Sequence, residues 1–202
     1  DETLKDQVVF EADEYKNRIL KQLRTDFETL STMSAFIGND NASDVNLLSE
    51  QLSLAQKNND FVTIAFYHQD GTGIVINQGE EAIINADLSL LSSEGQEGVK
   101  TALKGEPSIS KLFQSGISDL RVFVYSIPVY DGDKVIGALS ASDHIEIFSD
   151  ILSGNTVLGG GGYIHMINSE GNFLVRSSNA VAKENISSIF NGPYLYEDSK
   201  DE

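Results

Sequence analysis

Cysteine is absent from this chain of 202 residues, so neither a disulfide bond nor a thiolate zinc site can form. Tryptophan is absent as well, and there are only 3 prolines. No apolar run approaches the roughly 20 residues that a helix needs to cross a bilayer. The charged and polar start of the chain also lacks the pattern of a signal peptide. We therefore expect no membrane-spanning segment within this stretch of sequence.

Basic residues are scarce, since 14 Lys and Arg stand against 31 Asp and Glu and give a formal net charge of −17. This charge disfavours nucleic acid, whose phosphates require a basic surface. It equally disfavours adsorption on an anionic membrane. The hydrophobic fraction of 40% and the charged fraction of 22% are typical of globular proteins. We expect an acidic globular protein that does not bind nucleic acid.

The chain also lacks the spacing of catalytic and metal-binding motifs. Its 3 histidines are scattered, and none is paired at helical spacing. Ser140 and Ser142 lack the G-x-S-x-G context of a hydrolase nucleophile. The glycine run at 159–162 is not followed by the Lys and Ser/Thr of a phosphate-binding loop, so a linker or a tight chain crossing is the better interpretation. We predict no catalytic residue, no metal and no cofactor, and we do not expect an enzyme.

A long helix is the first element that the sequence predicts. Residues 3–37 contain neither Gly nor Pro, and their apolar residues recur at steps of three or four. A helix of this length extends about 50 Å. Its apolar stripe fits two arrangements, packing along its own domain or pairing with a second copy of itself.

The remaining pattern predicts an α+β fold. Helical periodicity is found at 45–59, 88–105 and 145–152, and strand patterns at 61–68, 74–78, 108–113, 121–130 and 134–142. Asp131-Gly132-Asp133 joins the last two strands and is a strong hairpin signal. Strands grouped in this order predict a five-stranded antiparallel sheet with helices segregated to one side.

A strand-turn-strand unit occurs twice in the sequence. "TIAFYHQDGTGIV" at 63–75 aligns with "YIHMINSEGNFLV" at 163–175, and Gly71 and Gly171 occupy the same turn position. A short helix is predicted after the second copy, around 186–190. The second unit is much shorter than the first, so we expect that the chain is part of a longer protein.

These segments together resemble a known family. The long helix, the strand-turn-strand unit, "ALKGE", and "PVYDGDKVIGAL" as a closing hairpin resemble a double Cache domain, the PAS-like extracytoplasmic sensor of bacterial transmembrane receptors. The resemblance implies a long N-terminal helix at 1–37, a membrane-distal PAS-like lobe at 38–155 and a partial membrane-proximal lobe at 156–202. It also implies a homodimer formed through the helix, a membrane reached through flanking segments, and an extracellular or periplasmic location.

The distal lobe of this family usually holds the small molecule, and polar residues on its strands are the candidates. Strand alternation places Arg121, Phe123 and Tyr125 on one face, and Tyr67 lies with Thr63 and Ala65. Arg121 could bind a carboxylate or be solvated, whereas Phe123 and Tyr125 could equally be core.

Asp143 is the fifth candidate, because amino-acid-binding members use an Asp near this position for the amine of the ligand. The same residue could be a helix N-cap. Those members also carry an Arg beside a Trp-Tyr pair, and this chain has no Trp. A small carboxylate and another metabolite therefore both stay open as ligands.

Two functions of different classes remain. The first is a sensor domain of a receptor whose output module is a histidine kinase, a chemoreceptor or a diguanylate cyclase. The second is a structural or protein-interaction module of such a receptor, which predicts a collapsed and wholly apolar distal interior. A distal cavity with oriented polar groups favours the sensor, and a filled core favours the scaffold.

Overall fold

The computed structural model describes residues 2–117, 120–153, 162–167 and 173–175. The chain forms two compact units, one of Arg24–His144 and one of Asp1–Leu23 with Ile145–Glu202. The first unit contains the large sheet. The domain limits expected from the sequence, 1–37, 38–155 and 156–202, stay a prediction.

Helix α1 spans Glu2–Phe36 and confirms the predicted long helix. It forms because no Gly or Pro interrupts a run of good helix formers. Leu30, toward its carboxyl end, is fully buried. The amino-terminal part of α1 presents apolar side chains of the stripe to solvent, among them Leu4 and Val8. The apolar stripe is thus covered at one end and exposed at the other within the described residues.

Two further helices follow, α2 at Asn39–Ser43 and α3 at Val45–Asn58. Asp44 caps α3, because its Oδ1 accepts hydrogen bonds from the backbone N–H groups of Asn46 at 3.1 Å and Leu47 at 3.0 Å. The sequence predicted α3 but not α2. The carboxyl end of α3 is fastened to the sheet, since Gln56 Nε2 donates to the Phe61 carbonyl at 3.0 Å.

The first unit is built on an antiparallel sheet with the order β3-β2-β1-β7-β6-β4, in which β5 also pairs with β6. The strands are β1 Phe61–His68, β2 Thr72–Asn77, β3 Ile83–Asp87, β4 Ser108–Ile109, β5 Phe113–Gln114, β6 Arg121–Asp131 and β7 Lys134–His144. The α+β class and the long helix agree with the prediction. The sheet has seven strands where the sequence predicted five. The strand predicted at 108–113 is split in two, and β3 was not predicted, because it is a mostly exposed edge strand without an alternating pattern.

The hairpin of β6 and β7 is the centre of the sheet and confirms the predicted turn. Asp131 pairs with Lys134, so Gly132 and Asp133 form a two-residue loop. Gly132 has φ of 59°, a conformation that costs little for glycine, and glycine at the first loop position is typical of hairpins. Both strands are 11 residues long.

Helix α4, Ser93–Ala102, covers one face of the sheet. It is preceded by a 3₁₀ turn at Leu88–Leu90, so the region predicted as helical at 88–105 holds two shorter segments. Val99 and Ala102 of α4 pack against Ala65, Val75 and the ring of Tyr67. This small apolar cluster fixes α4 over β1 and β2.

The second unit contains helix α5, Ile147–Ser153, and a two-stranded antiparallel sheet of β8, Met166–Ile167, and β9, Phe173–Val175. The pairing of β8 with β9 agrees with the repeated strand-turn-strand unit. The helix predicted around 186–190 and residues 159–161 of the glycine run interpreted as a linker lie outside the described residues. Among the helices described, none combines the length and the apolar character that crossing a bilayer requires.

Candidate functional site

The two faces of the central sheet differ in the size and polarity of their side chains. The register pairs Thr63 with Ser142 and Ala65 with Ser140, so these residues point to the same side. We call this side the α4 face; its residues are Thr63, Ala65, Tyr67, Val122, Val124, Ser126, Ala138, Ser140 and Ser142. The opposite side is called the Asp143 face; its residues are Ile64, Phe66, Phe123, Tyr125, Leu139, Ala141 and Asp143.

A cavity of about 30 Å³ lies on the α4 face. The strands contribute Thr63, Ala65, Val122, Val124, Ser140 and Ser142 to its lining, the start of α4 contributes Leu91, Ser92 and Gly95, and the segment around β5 contributes Phe113, Ser115 and Ile117. This volume corresponds to about two water molecules. None of the described residues that line it carries a charge. The space exists because small side chains meet beneath α4.

The hydroxyl groups of the α4 face divide into partnered and unpartnered ones. Thr63 donates to Asn77 Oδ1 at 2.8 Å, and the hydroxyls of Ser126 and Ser140 lie 3.1 Å apart in a hydrogen bond. Ser142 Oγ is buried and has no hydrogen-bond partner within the described part of the chain. A buried hydroxyl without a partner carries a free-energy penalty, which a bound molecule could remove.

The amino end of α4 also has unused hydrogen-bonding capacity. Ser92 is the N-cap residue and lines the cavity, but its side chain makes no capping hydrogen bond in the described structure. The first backbone N–H groups of a helix have no partner within the helix. Donors at this helix end and the Ser142 hydroxyl therefore border the same small space.

The Asp143 face carries large buried side chains and contains a buried carboxyl group. Asp143 is 1% exposed, and no hydrogen bond of good geometry reaches either of its carboxylate oxygens from the described residues. Burial, followed by the neighbouring carboxylate of Asp26 in α1, raises the pKa of Asp143 to about 8. Asp60 acts in the same direction, while Tyr125 opposes it. This shift favours the protonated form of Asp143 at neutral pH.

Tyr125 belongs to the same cluster on the Asp143 face. Its ring is fully buried, and its hydroxyl has no hydrogen bond of good geometry among the described residues. Burial first, and then Asp143, raises the pKa of Tyr125 far above its usual range. Both residues thus hold buried polar groups without a hydrogen bond of good geometry among the described residues. Neither Tyr125 nor Asp143 borders the cavity of the α4 face.

The structure brings three of the five candidate residues from the sequence together and separates the other two. Phe123, Tyr125 and Asp143 lie on the Asp143 face, and Arg121 is exposed at the start of β6. Tyr67 lies on the α4 face, in the apolar cluster with Val99, where burial and then Asp87 raise its pKa to about 12. None of the five lines the cavity. A ligand contact by any of them stays a prediction.

The sequence reasoning did not select Ser142, Ser140, Val124 or Ser92. Strand alternation correctly separated Phe123 and Tyr125 from Val122 and Val124, but it cannot tell which face α4 covers. A signal was nevertheless present. Hydroxyl side chains recur at Ser126, Ser140 and Ser142, which share one face of two long strands that are otherwise apolar.

No protein-family model matches this chain, and no curated protein matches it either. Solved structures do. The sensory domain of the chemoreceptor Tlp3 (CcmL) of Campylobacter jejuni, with isoleucine bound, superposes with a TM-score of 0.71 at 13% identity, over 98% of this chain and 79% of that one. The ligand-binding domain of the Pseudomonas aeruginosa amino acid chemoreceptor PctB, with L-Gln, gives 0.61 at 13% identity, over 94% and 74%.

A third structure agrees with these two. The ligand-binding domain of the amino acid chemoreceptor PctC of Pseudomonas aeruginosa, in complex with GABA, gives a TM-score of 0.60 at 15% identity, over 81% of this chain and 71% of that one. The chain therefore has the fold of chemoreceptor sensory domains. This finding confirms the fold that the resemblance to a double Cache domain predicted. The matched structures are sensory domains rather than enzymes.

Proposed function

We propose that this chain is the extracytoplasmic ligand-sensing domain of a transmembrane signalling receptor. In this proposal a small molecule binds in the cavity on the α4 face. The observation that carries it is the cavity itself, where the unpartnered Ser142 hydroxyl and the amino end of α4 meet above an apolar floor. The shared fold supports it, since the similar structures are sensory domains with amino acids bound.

The wider organisation belongs to the same proposal. Residues 38–155 form the membrane-distal lobe, 156–202 form part of the proximal lobe, and flanking segments connect the domain to the membrane. The output module is a chemoreceptor signalling domain, a histidine kinase or a diguanylate cyclase.

A homodimer forms through α1, and the exposed apolar side chains of Val9 and Phe10 support this pairing. Sedimentation of the chain at increasing concentration, with Phe10→Ser as the variant, tests the dimer.

Signalling requires the ligand to bind two conformations with different affinity. The cavity is bordered by the start of α4 and by the segment around β5, which are short elements on the long β6–β7 hairpin. A ligand larger than about two water molecules requires these elements to move apart. This movement is the conformational difference that we propose as the signal.

A thermal-shift screen with a panel of metabolites tests the sensing function. The panel includes isoleucine, GABA and glutamine, because the similar structures bind such compounds. A true ligand at 100 times its Kd stabilises the folded state by about 2.7 kcal/mol, which raises the melting temperature measurably. Failure of every compound in a broad panel would contradict the sensing function.

The alternative is a structural or protein-interaction module, and the small volume of the cavity, about 30 Å³, favours it. This alternative predicts that no small molecule raises the melting temperature. It also predicts that Ser142→Val, which fills the cavity, leaves signalling by the full receptor unchanged. The sensing proposal predicts that the same substitution abolishes the response.

A further inference from the structure

We infer that the cavity on the α4 face takes a small uncharged molecule that offers a carbonyl or amide group to Ser142 and the amino end of α4, and an aliphatic part to Val122 and Val124. This inference rests on the proposed function and narrows it to a ligand class. It excludes zwitterionic amino acids and simple carboxylates as tight ligands of this site. The inference is based on the charge of the lining residues, on their hydrogen-bonding capacity and on the size of the cavity.

The described part of the lining offers no counter-charge. Among the described residues that border the cavity there is neither a basic side chain for a carboxylate nor an acidic one for an ammonium group. Burying an unpaired charge is costly, and much costlier than burying a neutral polar group that finds a hydrogen bond. A molecule with a permanent charge thus loses its hydration in this site without compensation.

The amino end of α4 does not replace a basic side chain. A helix amino terminus carries a partial positive charge that favours anions. Here Glu94 lies in the first turn of α4, and the whole chain carries a formal net charge of −17. Both oppose a carboxylate at this position, and the partial charge of the helix opposes an ammonium group. A neutral hydrogen-bond acceptor is the group that this end accommodates best.

The hydrogen-bonding capacity is localised. Ser142 is 6% exposed, its hydroxyl has no partner in the described structure, and it lines the cavity. Ser92 is the N-cap residue of α4, but its side chain makes no capping hydrogen bond in the described structure. Thr63 and Ser140 already have partners. One carbonyl or amide group of a ligand can therefore satisfy both unused positions.

The rest of the lining is apolar apart from Ser115, and it includes the aromatic residue Phe113. Val122 and Val124 form the floor, and Leu91 and Ile117 border the side. The volume of about 30 Å³ limits the ligand to a few non-hydrogen atoms unless the surrounding segments move. A short aliphatic chain attached to the polar group fills this space.

Three probes with the same carbon skeleton and different charge test the inference: propionamide is neutral, propionate is an anion and L-alanine is a zwitterion. Each is titrated into the 202-residue chain, and the methyl resonances of Val122 and Val124 are followed by NMR. Such small probes bind weakly, so the ratio of their Kd values is the quantity compared. We expect propionamide to bind at least about 100-fold more tightly than L-alanine, and also more tightly than propionate.

Two serine variants show where the probe binds. Ser142→Ala removes the unpartnered hydroxyl, and we expect it to weaken propionamide about 10-fold. Ser34→Ala is the matched control, because Ser34 is also buried but lies in α1 and does not line the cavity. We expect it to leave the Kd of propionamide unchanged. Equal effects of the two variants would overturn the assignment of Ser142.

The outcomes separate this inference from the proposed function. Tighter binding of L-alanine or propionate would overturn the uncharged class while leaving ligand sensing in place. The absence of binding by all three probes also overturns the class. Ligand sensing itself is then judged by the broad metabolite panel, which samples other sizes and shapes. Preferential binding of propionamide with sensitivity to Ser142→Ala supports both.

Discussion

Val124 and Tyr125 are neighbours in strand β6, yet they belong to two different environments. Val124 borders a cavity on the α4 face, whereas Tyr125 is fully buried on the Asp143 face beside a carboxyl group with a raised pKa. The α4 face carries small and hydroxyl side chains, and the Asp143 face carries large apolar ones together with one acid. The same strands thus carry large buried side chains on one side and a candidate binding site on the other.

The two faces accommodate buried polar groups in different ways. On the α4 face the polar groups are neutral hydroxyls. Three of these five hydroxyls are hydrogen bonded, and of the other two a small ligand can satisfy that of Ser142, which borders the cavity. On the Asp143 face the carboxyl group avoids the cost of a buried charge by staying protonated. Substitutions on each face therefore test this difference. Their expected effects on the free energy of unfolding range from several kcal/mol to less than about 1 kcal/mol.

Leu139→Ala and Ser140→Ala change adjacent residues of β7 that point to opposite faces. Leu139 is fully buried, so its truncation leaves a void and lowers the free energy of unfolding by about 2–5 kcal/mol. Ser140→Ala loses only the hydrogen bond with Ser126, at a cost of about 1 kcal/mol. Urea denaturation measures both. Equal losses would show that the two faces pack alike.

Asp143→Asn removes the titrating group of the Asp143 face. The pKa of Asp143, about 8 in the folded chain, exceeds its value of about 4 in the unfolded chain. Between these values the folded state binds more protons than the unfolded state, so the free energy of unfolding of the natural chain falls as pH rises. We expect Asp143→Asn to stabilise the protein by about 2–4 kcal/mol at pH 7 and to have little effect near pH 4.

The exposed residue Asp133 in the hairpin loop supplies the control for this experiment. Asp133→Asn should leave the pH dependence of the free energy of unfolding as it is in the natural chain. A pH profile that Asp143→Asn does not flatten would mean that this carboxyl group is charged in the folded protein.

Ser142→Val tests the cavity on the other face. A valine side chain fills the space and removes a hydroxyl without a partner, so we expect a gain of about 1 kcal/mol in the free energy of unfolding. Ser126→Val, on the same face, loses a hydrogen bond in a packed position next to Gly98 and should destabilise by about 1–3 kcal/mol. Opposite signs in thermal denaturation support the cavity, and destabilisation by both substitutions argues against it.

Tyr67→Phe and Tyr125→Phe form the finest comparison, because each removes a buried hydroxyl without a hydrogen bond of good geometry from a different face. Both should change the free energy of unfolding by less than about 1 kcal/mol. Tyr125 lowers the pKa of Asp143. Tyr125→Phe should therefore raise that pKa and move the alkaline part of the profile of unfolding free energy to higher pH. Tyr67→Phe should leave that part of the profile unchanged. The profile of the free energy of unfolding against pH distinguishes the two variants.

Much of the fold could be predicted because local signals agree with it. The absence of Gly and Pro over 3–37 predicted α1, and Asp131-Gly132-Asp133 predicted the hairpin that centres the sheet. Strand β3 could not be predicted in this way. It is an exposed edge strand, formed through its pairing with β2 rather than by an apolar pattern of its own.

The candidate site was harder to predict, for a physical reason. Alternation divides the residues of β6 into two faces, but the packing of α4 and the position of Asp26 in α1 decide what each face contacts. These are long-range contacts that the sequence of the strand does not encode. Tyr125 and Asp143 were therefore both selected as candidates and lie in one cluster, while Ser142 was not selected.

The central claim is that a ligand binds on the α4 face and not on the Asp143 face, and methyl NMR tests it most directly. With propionamide as the titrant, the methyl resonances of Val122 and Val124 report on one face, and those of Ile64 and Leu139 report on the other. Binding on the α4 face predicts saturable shifts of the methyl resonances of the two valines, with much smaller shifts of those of Ile64 and Leu139. Saturable shifts confined to Ile64 and Leu139 would contradict it.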